Sequence, residues 1–408
     1  MSKTLISFLG TGGKLNKEGQ VIREYRTAKY SIEGKFAGES SFVTSVLMDH
    51  FAIDNLILIG TVKSMWEEAY RYFCEKNNRP IDVDYYVELS DQIDRANYQT
   101  SLSELSLKPL EESLGKKLKV VVIPYGLNKA EQVVIFKSLS ETFSQLEPDH
   151  EIILDITHSF RSLPLFSTSV IQYLQSLSEK KLHFSKIYYG MLDAMREFDG
   201  VAPIIDISAT VELQRWSTAA YSFKEYGKGS LLADLLGGEE GEMIKIFSDA
   251  VNINYLNEIR TRLANFQQFS DKKMTNEFAQ WVVPKVLSSF IRRLQKAGNS
   301  QWRFQFELSQ WHRERDNYSS AYIVFVESIL TYVCEEKGWD WKEKNKREEA
   351  KNEIISNNYK DLRRLYVAAN EPRKNIAHNL NRRGYKVNRD IENLEVLQKD
   401  FIKLTRKN

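Results

Sequence analysis

The chain has 408 residues, and at about 100–200 residues per domain this length predicts two or three domains. Apolar residues make up 42% and aromatic residues 12% of the chain, which excludes a disordered protein. The 57 Lys and Arg residues nearly balance the 55 Asp and Glu residues. The resulting net charge of +2 excludes a polycation, so any basic binding site must be local.

The same sequence predicts where the protein works. Its two cysteines, Cys74 and Cys334, are too few for a disulfide framework or a four-cysteine zinc site, as expected of ordinary thiols in a reducing compartment. No stretch approaches the ~20 apolar residues that span a bilayer, and the first residues lack the features of a signal peptide. We therefore expect a soluble, cytoplasmic protein with no membrane partner.

Short apolar runs alternate with amphipathic stretches in the first half of the sequence. The predicted strands are 5–9, 56–59, 120–123, 152–156 and 187–189, with weaker candidates at 83–87 and 203–207. The predicted helices lie near 39–52, 64–77, 129–146 and 162–178. Strand-like runs separated by helical patterns are typical of βαβ units. With right-handed crossovers they predict an α/β, Rossmann-like domain with a mostly parallel sheet.

The pattern changes after about residue 207. From there the sequence consists of long helical stretches rich in Leu, Ala, Glu, Lys, Arg and Gln, and glycines supply most of the breaks. This pattern predicts an all-α domain. We therefore divide the chain into an α/β domain over 1–206 and an all-α domain over 207–408, with room for an inserted subdomain at about 237–300.

A glycine-rich loop, Gly10-Thr11-Gly12-Gly13, follows the first predicted strand. Open parallel sheets bind ligands beyond the carboxyl ends of their strands, so this loop is a candidate binding site. The dinucleotide fingerprint would place a third glycine at position 15, which is Leu15, and a helix directly behind the loop. The loop is either a tight turn or a place where bare backbone approaches a phosphate or base closely.

Polar side chains crowd the turn after the predicted strand at 152–156. They are Thr157, His158, Ser159 and Arg161, and Pro164 falls in the first turn of the helix that follows. The N–H groups of that helix start, together with Arg161 and two hydroxyls, would make an anion site. The alternative is that Thr157 or Ser159 only caps the helix and that His158 is an ordinary loop histidine.

The second half contains one cluster of residues suited to catalysis, at 370–379. Asn370 can cap a helix and Pro372 fits its first turn, so a helix is predicted to begin here. Arg373, Asn375 and His378 then lie in its opening two turns, where the helix dipole favours a phosphate. His378 can act as acid or base near neutral pH, which suits attack of a ribose 2′-OH on the neighbouring phosphate. The alternative is a solvated basic helix face with one surface histidine.

The surroundings of this cluster are basic. Residues 372–408 hold ten Lys and Arg against four Asp and Glu, and such a surface attracts RNA phosphates. One Arg–His pair supplies few groups for catalysis, but two chains that meet on a twofold axis would place two such pairs in one cleft. Ala377 is small enough to permit close approach of paired helices. The six histidines show no metal-ligand spacing, so we expect no metal site.

Both halves resemble parts of one known family. The opening at 7–12 and the segment at 154–164 resemble the CRISPR-associated Rossmann-fold (CARF) sensor domains. Arg373 and His378, with four residues between them, resemble the HEPN ribonuclease motif. The order of the two halves is that of the type III CRISPR accessory ribonucleases. The resemblance implies a homodimer that binds cyclic oligoadenylate as its activator. It then cuts single-stranded RNA without metal or cofactor at the HEPN dimer interface and leaves a 2′,3′-cyclic phosphate.

The resemblance also implies roles for individual residues. Arg373 and His378 would be the catalytic pair and Asn375 an accessory polar group, although the family motif often places that group directly after the arginine, where this chain has Lys374. The candidates for binding the ring are Gly10, Thr11, Gly12, Thr157, His158, Ser159 and Arg161. Some relatives also cleave the ring, and Thr11, His158 and Ser159 could align a ring 2′-OH for that reaction.

Two other functions stay open on the sequence. The first is a non-catalytic regulator that senses a cyclic nucleotide and whose helical half binds nucleic acid or protein without cutting. The second is a nicotinamide- or nucleotide-dependent enzyme in the first half, which would need a helix directly after Gly13.

Overall fold

The computed structural model describes residues 2–12, 14–15, 21–22, 25, 27–114, 117–148, 150–158, 160, 162–177, 182–271, 274, 276–356, 359–378 and 387–406. The chain divides into two compact units, Met1–Glu212 and Leu213–Asn408. The first is an α/β unit and the second is helical, so the predicted fold class is confirmed.

The first unit alternates strands and helices. In chain order its elements are β1 (Lys3–Phe8), β2 (Lys14–Leu15), β3 (Val21–Ile22), β4 (Ala28–Ile32), β5 (Lys35–Ser40), α1 (Val43–Phe51), β6 (Asn55–Gly60), α2 (Trp66–Lys76), α3 (Val83–Arg95), α4 (Lys108–Ser113), β7 (Lys117–Val122), α5 (Lys129–Ser144), β8 (Glu151–Asp155), α6 (Ser162–Leu177), β9 (His183–Gly190), a 3₁₀ helix (Leu192–Glu197) and β10 (Val201–Asp206).

Among the described residues, eight strands form one sheet in the order β5-β4-β10-β9-β8-β1-β6-β7, and β2 and β3 form a small second sheet. β1 pairs in parallel with both β6 and β8, and β7 and β9 extend this parallel block on either side. After β1 the chain forms β4 and β5 at the far edge of the sheet, then adds β6 and β7 on one side of β1, and it returns to β8 and β9 on the other. The carboxyl ends of β1 and β8 therefore flank the switch point where open α/β sheets bind ligands.

The central strands are buried on both faces, as is usual for parallel sheets. On β1, Leu5 belongs to an apolar cluster with residues of α1 to α4, whereas Ile6 and Phe8 belong to a cluster with residues of α5 and α6. Each fully buried side chain of this size stabilises the fold by about 1.5–3 kcal/mol relative to an exposed one. The two helical layers thus fix β1 and β8, whose ends carry the candidate loops.

The structure confirms the five main predicted strands and the candidate at 203–207, with ends that shift by one to four residues. The strand candidate at 83–87 is wrong because this segment begins α3. Asp82 caps that helix by accepting a hydrogen bond from the backbone N of Tyr85 at 3.1 Å, and Leu89 and Ile93 supply its buried side one turn apart. The hairpin of β4 and β5 was not predicted, and the helix expected from residue 39 begins only at Val43.

The second unit is built from helices, and α7 crosses into it from the first. They are α7 (Ala209–Tyr226), α8 (Ser230–Leu236), α9 (Gly238–Asn252), α10 (Leu256–Asp271), α11 (Glu277–Gln295), α12 (Gln301–Arg313), α13 (Tyr318–Glu336), α14 (Lys344–Ile355), α15 (Lys360–His378) and α16 (Val387–Thr405). The helices from α7 through α12 share one apolar cluster, which includes Phe247 and Leu287. The helices from α12 through α16 share a second, which includes Phe325 and Phe401.

Candidate functional sites

The loop after β1 is held against the loop after β6. The backbone N of Met65 donates a hydrogen bond to the carbonyl oxygen of Gly10 at 3.1 Å. Gly12 has a φ of +58°, and a Cβ at this position would lie 1.9 Å from Sδ of Met65, so the loop requires glycine here. Thr11 is half-buried, and its hydroxyl has no hydrogen-bond partner among the described residues. The loop thus offers the exposed backbone of Gly12 and the hydroxyl of Thr11 to a ligand.

Asp155 is the last residue of β8 and is fully buried. Its hydrogen bonds shape the crevice at the carboxyl ends of β1 and β8. Its Oδ2 accepts a hydrogen bond from Oγ of Ser7 at 2.6 Å, and its Oδ1 accepts from N and Oγ1 of Thr157 at 2.9 and 2.6 Å. Oγ1 of Thr157 in turn accepts from the backbone N of Gly190 at 2.8 Å. Thr157 therefore ties the ends of β8 and β9 together. Sequence reasoning missed these roles of Asp155 and Ser7, although a carboxylate ending an apolar strand was a visible signal.

His158 packs beside the glycine loop through Tyr25, which sequence reasoning also missed. The rings of Tyr25 and His158 have centroids 4.8 Å apart, and the Tyr25 hydroxyl accepts from the backbone N of Gly10 at 3.0 Å. Burial lowers the pKa of His158, and the charge of Asp155 only partly opposes this shift, so the imidazole is neutral at pH 7. Its Nε2 atom is buried and has no hydrogen-bond partner among the described residues. A ligand in the crevice could supply that partner.

Two of the predicted ring-binding residues, Ser159 and Arg161, lie outside the described residues. The structure gives the two flanks of their turn, which are Thr157 and His158 before it and α6 from Ser162 after it. The anion site expected from Arg161 and the start of this helix therefore stays a prediction.

The structure corrects the helix start predicted at 370. α15 runs from Lys360 to His378, so Asn370 and Pro372 lie inside it. Buried side chains at helical spacing hold the upstream part of this helix in the core: Leu362, Leu365, Tyr366 and Ala369. The helix continues through Pro372 at the loss of one backbone hydrogen bond. Arg373 therefore lies near the helix end, where the dipole is negative, and the dipole argument for phosphate binding is wrong.

Arg373 lines a cavity of about 410 Å³ that is formed by α13, α14 and α15. Its half-buried guanidinium has no hydrogen-bond or ion-pair partner among the described residues, whereas the neighbouring Lys374 pairs with Glu371 at 3.6 Å. Burial raises the pKa of Tyr366, and the positive charges of Lys351 and Arg373 partly oppose this shift. The tyrosine thus stays protonated beside an arginine that is available to an anion.

The two other members of the predicted catalytic set are less completely placed. Asn375 is half-buried and engaged in an interaction within the protein. His378 is the last residue of α15, and its side chain lies outside the described part of the structure. At 3.6 residues per turn, positions 373 and 378 are about 140° apart around the helix axis. The backbone of α15 therefore does not place Arg373 and His378 on one helix face.

Other features of the described residues carry no site of their own. Cys74 and Cys334 are both buried free thiols, and burial raises the pKa of each, that of Cys334 to about 11. No group of three or more His, Cys, Asp or Glu side chains in the described ranges is placed to hold a metal ion. In the part of the chain that the structure describes, every helix is too short or too polar to cross a membrane.

Comparison with protein families gives two matches that follow one another along the chain. Residues 4–191 match the family described as the CARF domain of the CRISPR system endoribonuclease Csx1. Residues 212–301 match the family described as the second domain of the CRISPR-associated protein MJ1674. The first match covers nine of the ten strands and the loops of the crevice but not β10, and the second covers most of α7 and all of α8 to α11.

One curated relative agrees with these matches. The CRISPR-associated protein MJ1674 of Methanocaldococcus jannaschii is 35% identical over 352 residues, which are 82% of this chain and 54% of that protein. This chain therefore spans about half the length of that curated relative. Among solved structures, Enterococcus italicus Csm6 bound to cyclic hexa-2′-fluoro-hexa-dAMP aligns with 98% of this chain and 92% of its own, at a TM-score of 0.39 and 12% identity.

Proposed function

We propose that this CRISPR-associated CARF protein of the Csx1 type is an endoribonuclease that cyclic oligoadenylate switches on. Residues 1–206 are the sensor, and residues 207–408 form a HEPN ribonuclease domain that includes a subdomain at about 237–300. The protein works as a cytoplasmic homodimer on single-stranded RNA. The observation that carries this proposal is the match of residues 4–191 to the CARF domain of a family named for its endoribonucleases.

The geometry of the crevice supports ring binding. Gly12 exposes backbone, Thr11 offers a hydroxyl, and the buried Nε2 of His158 has no partner among the described residues. These are neutral groups that suit the sugar and base edges of a nucleotide, and Arg161 would add a cation for its phosphate. A cyclic oligoadenylate is nearly symmetric, so two copies of this crevice across a twofold axis would match it.

Two observations support a homodimer. α6 exposes an apolar stripe, in which Leu165 is 71%, Tyr173 is 42% and Leu177 is 70% exposed. Three large apolar side chains on one surface helix are typical of a surface that another protein covers. In α15, the angle of about 140° between positions 373 and 378 makes it hard for one helix to aim both groups at one phosphate. A second copy of α15 would supply the missing group.

The proposed chemistry needs only groups of the protein and of RNA. A basic imidazole of His378 takes the proton of a ribose 2′-OH, and the 2′ oxygen forms a bond to the adjacent phosphorus. The bond from phosphorus to the 5′ oxygen breaks, and that oxygen receives the proton that the imidazole of His378 has taken up. Arg373 stabilises the charge on the phosphate oxygens during this exchange. The products are a 2′,3′-cyclic phosphate and a 5′-OH, and no metal or cofactor takes part.

Variants of the catalytic pair test this proposal. With a fluorescent RNA oligonucleotide, cyclic oligoadenylate and EDTA, we expect Arg373→Ala and His378→Ala each to slow cleavage by about 100-fold or more. Calorimetric affinity for the ring should stay within twofold of the wild type. The control is Arg215→Ala, which removes an exposed arginine of α7 and should cut RNA normally. Undiminished cleavage by His378→Ala would refute the mechanism. A wild type that binds the ring but never cuts RNA would instead be a non-catalytic regulator.

A further inference from the structure

The cavity beside Arg373 has more cations than its own carboxylates can neutralise. It is lined by five cations, Lys344, Arg347, Lys351, Arg373 and Lys374, and by three carboxylates, Glu327, Glu348 and Glu371. Each carboxylate is paired with one of those cations: Arg347 with Glu327, Lys351 with Glu348 at 3.0 Å and Lys374 with Glu371 at 3.6 Å. Among the described residues, Lys344 and Arg373 have no such partner. The lining is therefore complementary to an anion.

The other part of the cavity is apolar. Ile355 and Val367 both line it, and they are 43% and 47% exposed. Val326 and Leu330 of α13 also line the cavity. Exposed aliphatic groups at the mouth of a cavity offer a surface on which the flat face of a base can pack.

The cations without a carboxylate partner and the exposed aliphatic side chains lie apart along the two helices. Lys344 is the first residue of α14 and Ile355 the last, so these two side chains stand at opposite ends of that helix. Along α15, Val367 and Arg373 are six residues apart, which is about 9 Å at the rise of an α-helix. The reach of one nucleotide from phosphate to base is comparable with this distance.

We propose that the cavity holds one nucleotide of the RNA strand beside the cleavage point. Its phosphate pairs with Lys344 and Arg373, and its base packs on Ile355 and Val367. The volume of about 410 Å³ lies within the usual range of small-ligand sites. The inference rests on the proposed ribonuclease function and adds to it Lys344 and Ile355 as residues that position the substrate.

RNA affinity measured in a cleavage-deficient background tests this site. In His378→Ala protein with cyclic oligoadenylate present, fluorescence anisotropy at several salt concentrations gives the affinity for a labelled RNA and its salt dependence. Adding Lys344→Gln should weaken binding 3- to 10-fold and reduce the slope of log affinity against log salt by about 0.7, the loss of one phosphate contact. Ile355→Ser should weaken binding without changing the slope. The matched control is Lys245→Gln, an exposed lysine of α9 outside the cavity, which should change neither.

The outcomes separate this site from the function it rests on. If wild-type protein with the ring neither binds nor cuts RNA, the proposed function fails. If it cuts RNA but Lys344→Gln and Ile355→Ser both behave like Lys245→Gln, only the nucleotide site fails. Far-UV circular dichroism and thermal unfolding of each variant show whether a loss of affinity reflects the site or a loss of fold.

Discussion

At Gly12 a single missing Cβ shapes the crevice of the sensor unit. Gly12→Ala would force a methyl group into Sδ of Met65 and hold alanine at a φ of +58°. Gly34→Ala is a matched control, because Gly34 also has a positive φ, +75°, but no atom within 4 Å of its added Cβ. Both variants carry the left-handed backbone penalty of about 1–2 kcal/mol. Only Gly12→Ala must also displace the buried side chain of Met65 or the loop itself, so we expect it alone to weaken calorimetric ring binding by tenfold or more. Equal affinities of the two variants would show that the loop does not contact the ring.

His312 gives the stability of the helical unit a pH dependence. It is buried, and burial together with the charge of Arg315 lowers its pKa to about 4. Its Nδ1 accepts a hydrogen bond from Nδ2 of Asn317 at 3.3 Å, while its Nε2 has no partner among the described residues. As the pH falls, the unfolded chain with its ordinary histidine pKa binds the proton first. The stability that neutral His312 contributes is therefore complete above pH 6.5 and is lost as the pH falls toward 4.

Urea unfolding at several pH values measures this contribution. A difference of about 2.5 pKa units corresponds to about 3 kcal/mol. Between pH 7 and pH 4, the free energy of unfolding should therefore fall by about 3 kcal/mol more in the wild type than in His312→Gln. Any contribution of His158 has the same sign and cancels in this comparison. Parallel curves for the two proteins would contradict the buried neutral state of His312.

At the level of elements, substitutions at two positions test whether α15 is continuous: Ala368, which is exposed, and Asn370, which is half-buried. Position 368 lies in the helix interior, so Ala368→Gly should lower the free energy of unfolding by about 1 kcal/mol. Asn370→Ala should be neutral or stabilising by a few tenths of a kcal/mol, because alanine is the better helix former. A helix that began at Asn370 would give the opposite pattern, in which Asn370→Ala costs about 1 kcal/mol and Ala368→Gly almost nothing. Chemical denaturation of both variants decides between the two.

The wrongly predicted start of α15 shows why some elements could be predicted from the sequence and others could not. Strands such as β1 and β6 are buried on both faces and appear in the sequence as mostly apolar runs. The segment at 370 carries two local signals of a helix start, Asn370 and Pro372, but tertiary packing of the upstream stripe decides the outcome. The edge hairpin of β4 and β5 gives no such run, since only the last of the six residues of β5 is buried. Local signals therefore predicted the centre of the sheet better than its edges and helix ends.

The candidate sites show the same limit. The loop residues Gly10 and Thr157 could be found because a strand precedes each of them in the sequence. The contacts that shape the crevice join residues far apart in the chain, such as the bond from Ser7 to Asp155 across 148 positions. No motif encodes such a pairing. The same holds for the cavity beside Arg373, whose Lys344 comes from a different helix.

For the whole molecule, the proposed function requires a switch between two states. A ring that moves the protein from 1:99 to 99:1 in favour of the cutting state must bind that state about 10⁴-fold more tightly, a difference of about 5.5 kcal/mol. Many contacts to a ring of several nucleotides, made by two sensor units at once, would provide such a difference. In this proposal, the ring binds the unit that carries the CARF match, and RNA binds the unit that carries the cavity beside Arg373.

Complementation between two inactive variants tests the central claim most directly. Arg373→Ala and His378→Ala proteins are each inactive, and they are mixed under conditions that allow subunits to exchange. Labelled RNA is then added in EDTA, with or without cyclic oligoadenylate. Half of randomly mixed dimers contain one subunit of each kind. Such a dimer keeps Arg373 of one subunit and His378 of the other, which is one intact pair out of two. Up to about a quarter of wild-type cleavage should therefore return. We predict this recovery only in the mixture and only with the ring. A mixture that stays inactive while wild-type protein cuts, or cleavage that does not depend on the ring, would contradict the account.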